Sequence, residues 1–414
     1  MQRARYGGWG TISASLLFAV VCLWGGFELS LRLSFVNPYP TVCHLVAEKI
    51  FLPKEKLEGW QKICLRRSQL VQPTSERKLI IQDINNVLSL LKVSHLEIYD
   101  PEASHRIWQG INQETGIESE FVEGELVVFA VHPLSPASKK GIVKGDIIEA
   151  INGDQPSPWT AKKNAGDFVV RDKFDKTRKV QLKPRTLRLD ESPQVLEIEP
   201  KKWIRLKVPS MRSDYFDYKK WDPQVEKILS YQNLILDLRG NRGGSFVAGL
   251  RLLAPFICSP QTIGSFKGKT GTSEVKGRLP DILADEQQLK YIEKYQEVLL
   301  VTEARRSCFK GKIHVLIDGG TASTAELVAV ALREFKQAKI YGTTSAGELL
   351  VGVWYPLPEL GPEVQISIPE AIYVSHKGLS IEGKGVLADK VLYYDLRQMR
   401  QGQDSWVDQV QGGL

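Results

Sequence analysis

A chain of 414 residues with 43% hydrophobic and 25% charged residues is ordinary globular material, long enough for two or three domains. The formal charge of +7 is modest, and no long Lys/Arg run with interleaved aromatics appears, which argues against nucleic acid as a partner. The spacing of Cys43, Cys64, Cys258 and Cys308 does not resemble a metal site, and no metal or cofactor is expected.

Arg3 and Arg5 precede an uncharged run from Tyr6 to Phe27, long enough to cross a bilayer or to act as an export signal. Residues 1–30 are therefore read as a transmembrane anchor or signal segment. No clear small-x-small cleavage site follows, and Val21 before Cys22 is a poor lipoprotein signal. The expectation is an uncleaved anchor in the inner membrane, with the rest exported to the periplasmic or cell-envelope side. An oxidising compartment allows disulfides among Cys43, Cys64, Cys258 and Cys308. The simplest pairing is Cys43 with Cys64 and Cys258 with Cys308, although spacing does not fix connectivity.

Residues 31–112 read as a small helical domain, with Ile81, Ile84, Leu88 and Leu91 at three-to-four spacing and Ile80 and Val87 beside them. The pattern then changes. Leu126 to Val131 reads as a strand, Ser135-Pro136-Ala137 opens a short helix, and Ile147 to Ile151 is a strand closing at Asn152-Gly153. Residues 113–186 thus resemble a PDZ module, whose pattern they match almost position by position. The resemblance makes Gly116-Ile117-Glu118-Ser119 the carboxylate-binding loop, which captures a peptide C-terminus by strand addition. The plain alternative is a degenerate PDZ serving as spacer or lid, since the segment after Pro158 is charged and weakly patterned.

In residues 187–414 short apolar strands alternate with helices: Leu234 to Asp237, the helix Phe246 to Leu253, Val298 to Val301, His314 to Ile317 and Lys339 to Gly342. This argues an α/β core with a largely parallel sheet. Within it, Asp318-Gly319-Gly320-Thr321-Ala322-Ser323-Thr324-Ala325-Glu326 sets Ser323 at a strand-to-helix turn. Such a turn exposes a hydroxyl, and the free N–H groups of the first helical turn can hold an oxyanion. Alone, Ser323 or Thr324 would read as an N-cap acting through Glu326.

The companion motifs change the weighting. Asp237-Leu238-Arg239-Gly240-Asn241-Arg242-Gly243-Gly244 is a D-x-R-x-N-x-G-G turn, and the Ser323 segment follows G-x-[TS]-[AF]-S-[AS]-[AS]-E with Thr324 as a mild departure. From about Ser94 to Asp389 the chain resembles the C-terminal processing peptidase and tricorn protease superfamily, which implies a crotonase/ClpP-like core and a serine peptidase with a PDZ domain. The processing branch pairs its serine with a lysine in a T-F-G-K-G loop, whereas here the matching position in Gly342-Thr343-Thr344-Ser345-Ala346-Gly347-Glu348 is Glu348. A carboxylate cannot act as that amine. The tricorn-like branch takes its base from a Ser-His dipeptide and a partner from a late Glu, which correspond to Ser94-His95 and Glu382.

The resemblance therefore implies Ser323 as nucleophile, His95 as base, Ser94 and Glu382 as orienting groups, and N–H groups of Thr324 and of Gly243 or Gly244 for the oxyanion. His376 is the rival base, and Glu348 is a loop residue or a binder of a substrate amine. The expected function is a membrane-anchored, exported serine endopeptidase cleaving polypeptides by an acyl-enzyme route, engaging them by their C-termini if the PDZ groove is functional. The family's inclination to assemble adds a homo-oligomer to the expectations. The contrasting reading, motivated by Glu348, is an inactive relative that keeps the PDZ and core as a periplasmic binding or scaffold protein.

Overall fold

The computed structural model describes residues 36–72, 76–268 and 274–412. The expected anchor at 1–30 lies outside them, and among the described residues no helix is long and apolar enough to cross a membrane. The chain divides into two compact units. One runs to Lys92 and adds Leu96–Ile98 and Trp354–Ser367; the other comprises Val93–His95, Tyr99–Val353 and Ile368–Leu414.

The first unit is built on helices Pro38–Lys49, Lys54–Ser68 and Arg77–Leu88. Asn37 opens the first, its side chain accepting from Tyr39 N at 3.1 Å, with Pro38 at the position where no N–H is needed. The third buries Ile80, Ile84, Val87 and Leu88 on one face, so of the expected stripe Ile84 and Leu88 are buried while Ile81 and Leu91 are only half-buried, and the buried face is turned toward Ile80 and Val87. Trp60 reaches across to donate its indole N–H to Val87 O at 2.8 Å. Cys43 and Cys64 form a disulfide between the first two helices, with Cα atoms 5.8 Å apart.

In the second unit a five-stranded antiparallel sheet runs in the order Ile117–Val122, Glu125–Val131, Ile147–Ile151, Gly166–Arg171, Thr177–Leu182. Its core is Ile117, Leu126, Val128, Ile148, Phe168 and Val170. The charged stretch after Pro158 is not formless: Ser157 and Thr160 form a capping box that starts the helix Pro158–Lys163, and the hairpin 166–182 follows. Ile117–Val122 is left as an edge strand beside that helix, the arrangement a PDZ-like groove requires.

A six-stranded sheet runs Lys390–Val391, Lys339–Gly342, Lys312–Ile317, Asn233–Asp237, Trp203–Lys207, Gln194–Glu199. Every neighbouring pair is parallel except the last. Helices Phe246–Ile257 and Thr324–Lys336 pack against each other, and Val247, Leu250, Leu327, Val328 and Ala331 belong to one large apolar core. A separate sheet takes the strand Val298–Val301 that the sequence pattern assigned to the parallel core, setting Thr262–Gly268 antiparallel to both Tyr295–Val301 and Gln365–Ser375. Two glycines in Thr262–Gly268 weaken its strand signal, and Gly264 is required because a Cβ there would lie 2.5 Å from Val374 O. Cys258, just past the helix Phe246–Ile257, is bonded to Cys308.

His314, on the central strand, is 3% exposed, with Nδ1 3.4 Å from Tyr341 Oη and Nε2 without a partner among the described residues. Burial, reinforced by Lys312 and Lys339, pushes its imidazole down from 6.5 to about 4. The unfolded chain therefore takes up this proton near pH 6.5 and the folded one does not until about pH 4. The stability linked to His314 is whole above pH 6.5 and falls as pH drops toward 4, by up to about 3 kcal/mol. Thermal unfolding from pH 8 to 4 should show a steeper loss of Tm in the wild type than in His314→Leu; parallel curves would exclude His314 as the source.

Candidate active site

Ser323 sits where the strand Lys312–Ile317 turns into the helix Thr324–Lys336, at φ 57°, ψ −126°. L residues avoid this region, and holding one there costs roughly 1–3 kcal/mol. Hydrogen bonds on both sides impose it: Thr321 Oγ1 donates to Leu238 O at 2.9 Å, Ala322 N to Asn241 O at 2.8 Å, and Ser323 N to Glu326 Oε2 at 2.9 Å. The result is a nucleophile-elbow geometry with Ser323 6% exposed.

The D-x-R-x-N-x-G-G turn lies directly against this elbow. A Cβ on Gly243 (φ 89°) would come within 2.6 Å of Ser323 Cβ and 2.9 Å of Thr324 N, so a side chain at 243 would displace the serine. Thr324, the residue departing from the motif, donates Oγ1 to Gly244 O at 2.8 Å, and its methyl takes space that a Cβ on Gly249 would need. The Gly243 N–H is engaged by Asn241 Oδ1 at 2.8 Å. Among the described residues the N–H groups of Gly244 and Thr324 have no acceptor, so these two can serve an oxyanion.

Glu326 joins the elbow to the loop after the strand Lys339–Gly342. Besides Ser323 N, its carboxylate accepts Ser345 Oγ at 2.5 Å, Gly347 N at 2.7 Å and Glu348 N at 3.0 Å. Burial pushes its pKa up, while these donors favour the anion. The same loop donates Leu349 N to Glu382 Oε2 at 2.8 Å. Glu382 in turn accepts Ser94 N on Oε1 and Ser94 Oγ on Oε2, both at 3.0 Å, and Ser94 Oγ lies 2.9 Å from His95 Nδ1.

Ser94, His95 and Glu382, drawn from opposite ends of the sequence, are thus in one hydrogen-bonded chain. Among the described residues no hydrogen bond joins Ser323 Oγ to His95. The carboxylate accepts only, so Ser94 O–H points to Glu382 and its oxygen accepts from His95 Nδ1–H, leaving Nε2 unprotonated. Burial holds the His95 pKa below its ordinary value; Glu348 pulls it up and Arg242 pushes it further down. The ring is therefore neutral at pH 7, the form a general base needs.

Glu348, where a dyad lysine would stand, pairs instead with Arg242 Nη2 at 3.2 Å. His376 lies away from this chain, with Nδ1 3.0 Å from Thr262 O and its ring against Phe335. In the PDZ-like sheet, Glu118 pairs with Lys162 Nζ at 2.6 Å and His132 Nε2 at 3.2 Å. Burial works the other way, but the His132 hydrogen bond and the Lys162 ammonium hold its carboxyl down to about 2. Gly116 needs to be glycine, since a Cβ would meet Ser135 Cβ at 2.2 Å. Sequence reasoning saw Glu326 only as a capping partner and missed Asn241 and Ser345, whose contacts span turns remote in sequence.

A model of peptidase family S41 matches residues 205–392. The carboxy-terminal-processing protease of Bartonella bacilliformis is 27% identical over 364 residues, 82% of this chain and 75% of that protein. Of solved structures, mature CPAF complexed with lactacystin superposes with a TM-score of 0.59 at 14% identity, covering 90% of this chain and 97% of that one. Tricorn protease superposes at 0.51 and 14% identity, covering 91% of this chain and 36% of that one. The two structural likenesses speak for the fold alone.

Glu326→Gln keeps the shape but turns an N–H toward donors that need an acceptor. A loss in kcat of about 10²-fold is expected, from misplacement of the elbow. Steady-state peptidase assays alongside thermal melts check this; a kcat within twofold of wild type would remove Glu326 from positioning Ser323.

Proposed function

The chain belongs to peptidase family S41, a family of serine-type peptidases acting on polypeptides, and on that premise we propose that it is an exported endopeptidase working through Ser323 with His95, rather than a lysine, as base. The observation that carries this reading is the Glu382–Ser94–His95 chain of hydrogen bonds, which presents a neutral imidazole with Nε2 free. In the reaction, His95 Nε2 takes the Ser323 hydroxyl proton as Oγ attacks the scissile carbonyl, and the oxyanion is met by the Gly244 and Thr324 N–H groups. His95 then gives the proton to the leaving amine, and a water repeats the cycle on the acyl-enzyme. Export is supported by the two disulfides. Anchoring rests on the sequence of residues 6–27 alone. The edge strand Ile117–Val122 supplies a place for a polypeptide to add as a strand.

The alternative, a binding protein without catalysis, draws on Glu348 and on the missing Ser323–His95 hydrogen bond. Hydrolases without substrate hold these partners loosely, so the second point does not decide against catalysis. A fluorophosphonate probe should label the wild type, fail on Ser323→Ala, and label His95→Ala slower by about 10²–10⁴-fold, the usual worth of a general base. Equal labelling of His95→Ala would remove His95 from its role. Hydrolysis of a disordered protein that disappears with Ser323→Ala would sink the binding-protein alternative.

A further inference from the structure

We propose that Arg242 determines specificity: it takes a carboxylate of the substrate beside the scissile bond, exchanging Glu348 for the ligand. The proposal rests on the peptidase reading and adds the chemical class of substrate. Arg242 directly precedes Gly243, where an added Cβ would come within 2.6 Å of Ser323 Cβ. Its side chain is 71% exposed, and Glu348 is its one ionic partner among the described residues, through Nη2 at 3.2 Å. A guanidinium has five donors in a planar fork that matches a carboxylate, so most of its capacity is unspent.

The neighbouring anions are in the opposite condition. Glu326 accepts four donors and Glu382 three, all from the protein. Glu348 is 41% exposed and its main chain is pinned by the N–H donated to Glu326. It stays where it is when Arg242 turns to a ligand. An ion pair this exposed is weak and easily exchanged.

The exchange has a second consequence. Glu348 raises and Arg242 lowers the proton affinity of the His95 imidazole, and Ser94 links that ring to Glu382. Neutralising Arg242 with a substrate carboxylate leaves Glu348 to act on the imidazole, strengthening the base in the complex that contains an acidic substrate.

The test uses internally quenched peptides with Asp, Asn or Lys at each position flanking the cleaved bond, each with a free or an amidated C-terminus. They are assayed on wild type, Arg242→Gln and the charge swap Arg242→Glu with Glu348→Arg, with active sites counted by fluorophosphonate labelling. The wild type should favour Asp over Asn by about tenfold in kcat/KM, mainly through KM and less at high salt. For the Asp peptide the acidic limb of its kcat–pH profile should lie at higher pH than for the Asn peptide. Arg242→Gln should lose both differences, and the swap should favour Lys. Dependence on the free C-terminus rather than on Asp would assign the carboxylate to the chain end. A wild type indifferent to charge, a preference kept by Arg242→Gln, or a wild type favouring Lys overturns the proposal while leaving the peptidase reading intact. Absence of both cleavage and labelling overturns the peptidase reading and this proposal with it.

Discussion

The carboxylate of Glu326 is the constraint on which the site depends. Ser323 holds a backbone conformation that costs energy, and the loop 345–348 has no regular structure to fix it. One buried anion satisfies both, accepting N–H or O–H groups from Ser323, Ser345, Gly347 and Glu348. Four donors converging on one carboxylate offset its desolvation only while all are in place. Protonation would turn one acceptor oxygen into a donor and set it against an N–H. The elbow and the loop are therefore coupled: loosening either removes support from the other.

That coupling gives the loop a different task from the one its motif suggests. In a local dyad it would deliver an amine to the serine. Here its side chain at 348 points to Arg242, and its backbone does the positioning, with Gly347 and Glu348 N–H on Glu326 and Leu349 N–H on Glu382. Glu382 passes the constraint to Ser94 and His95. The serine and the candidate base are thereby registered to one another through a loop that contacts neither by an acid–base side chain.

The parts legible in the sequence are those written locally. A strand, a glycine turn and an apolar-periodic helix located Ser323, and the Ser-Pro-Ala helix start with Asn152-Gly153 located the antiparallel domain. The four cysteines Cys43, Cys64, Cys258 and Cys308 admit few pairings, so the two disulfides were within reach. What stayed hidden depends on partners far apart in sequence. Glu326 three residues after Ser323 reads as a cap, and nothing local says that it also holds residues 345–348. Arg239 reads as one motif letter, and its partner Asp404 lies 165 residues on. Thr262–Gly268 became a strand because Tyr295–Val301 and Gln365–Ser375 flank it, overriding its glycines.

Arg239 shows why the first turn needs a buried ionic network. Its guanidinium spans Asp237 (Nε–Oδ1 2.9 Å, Nη2–Oδ2 2.7 Å) and Asp404 (Nη1–Oδ1 3.0 Å, Nη2–Oδ2 2.7 Å), with Arg205 completing the set and Trp406 beneath it. The arginine holds Asp237 well below the ordinary carboxylate range against the cost of burial. Such networks add little net stability; what two forked pairs supply is a fixed direction for the chain leaving Asp237. From there the turn uses up its own donors: Leu238 N–H goes to Leu316 O, Arg239 to Asp237, Gly240 to Asp318, Asn241 to Leu238 O, Gly243 to Asn241 and Ser245 to Met211 O. Within this turn, among the described residues, only the amides of Arg242 and Gly244 are left without an acceptor, one beneath a solvent-facing arginine and the other beside the serine elbow. A free N–H at Gly244 is thus the remainder of a turn in which nearly every other donor is committed, and that commitment keeps it aimed before any substrate arrives.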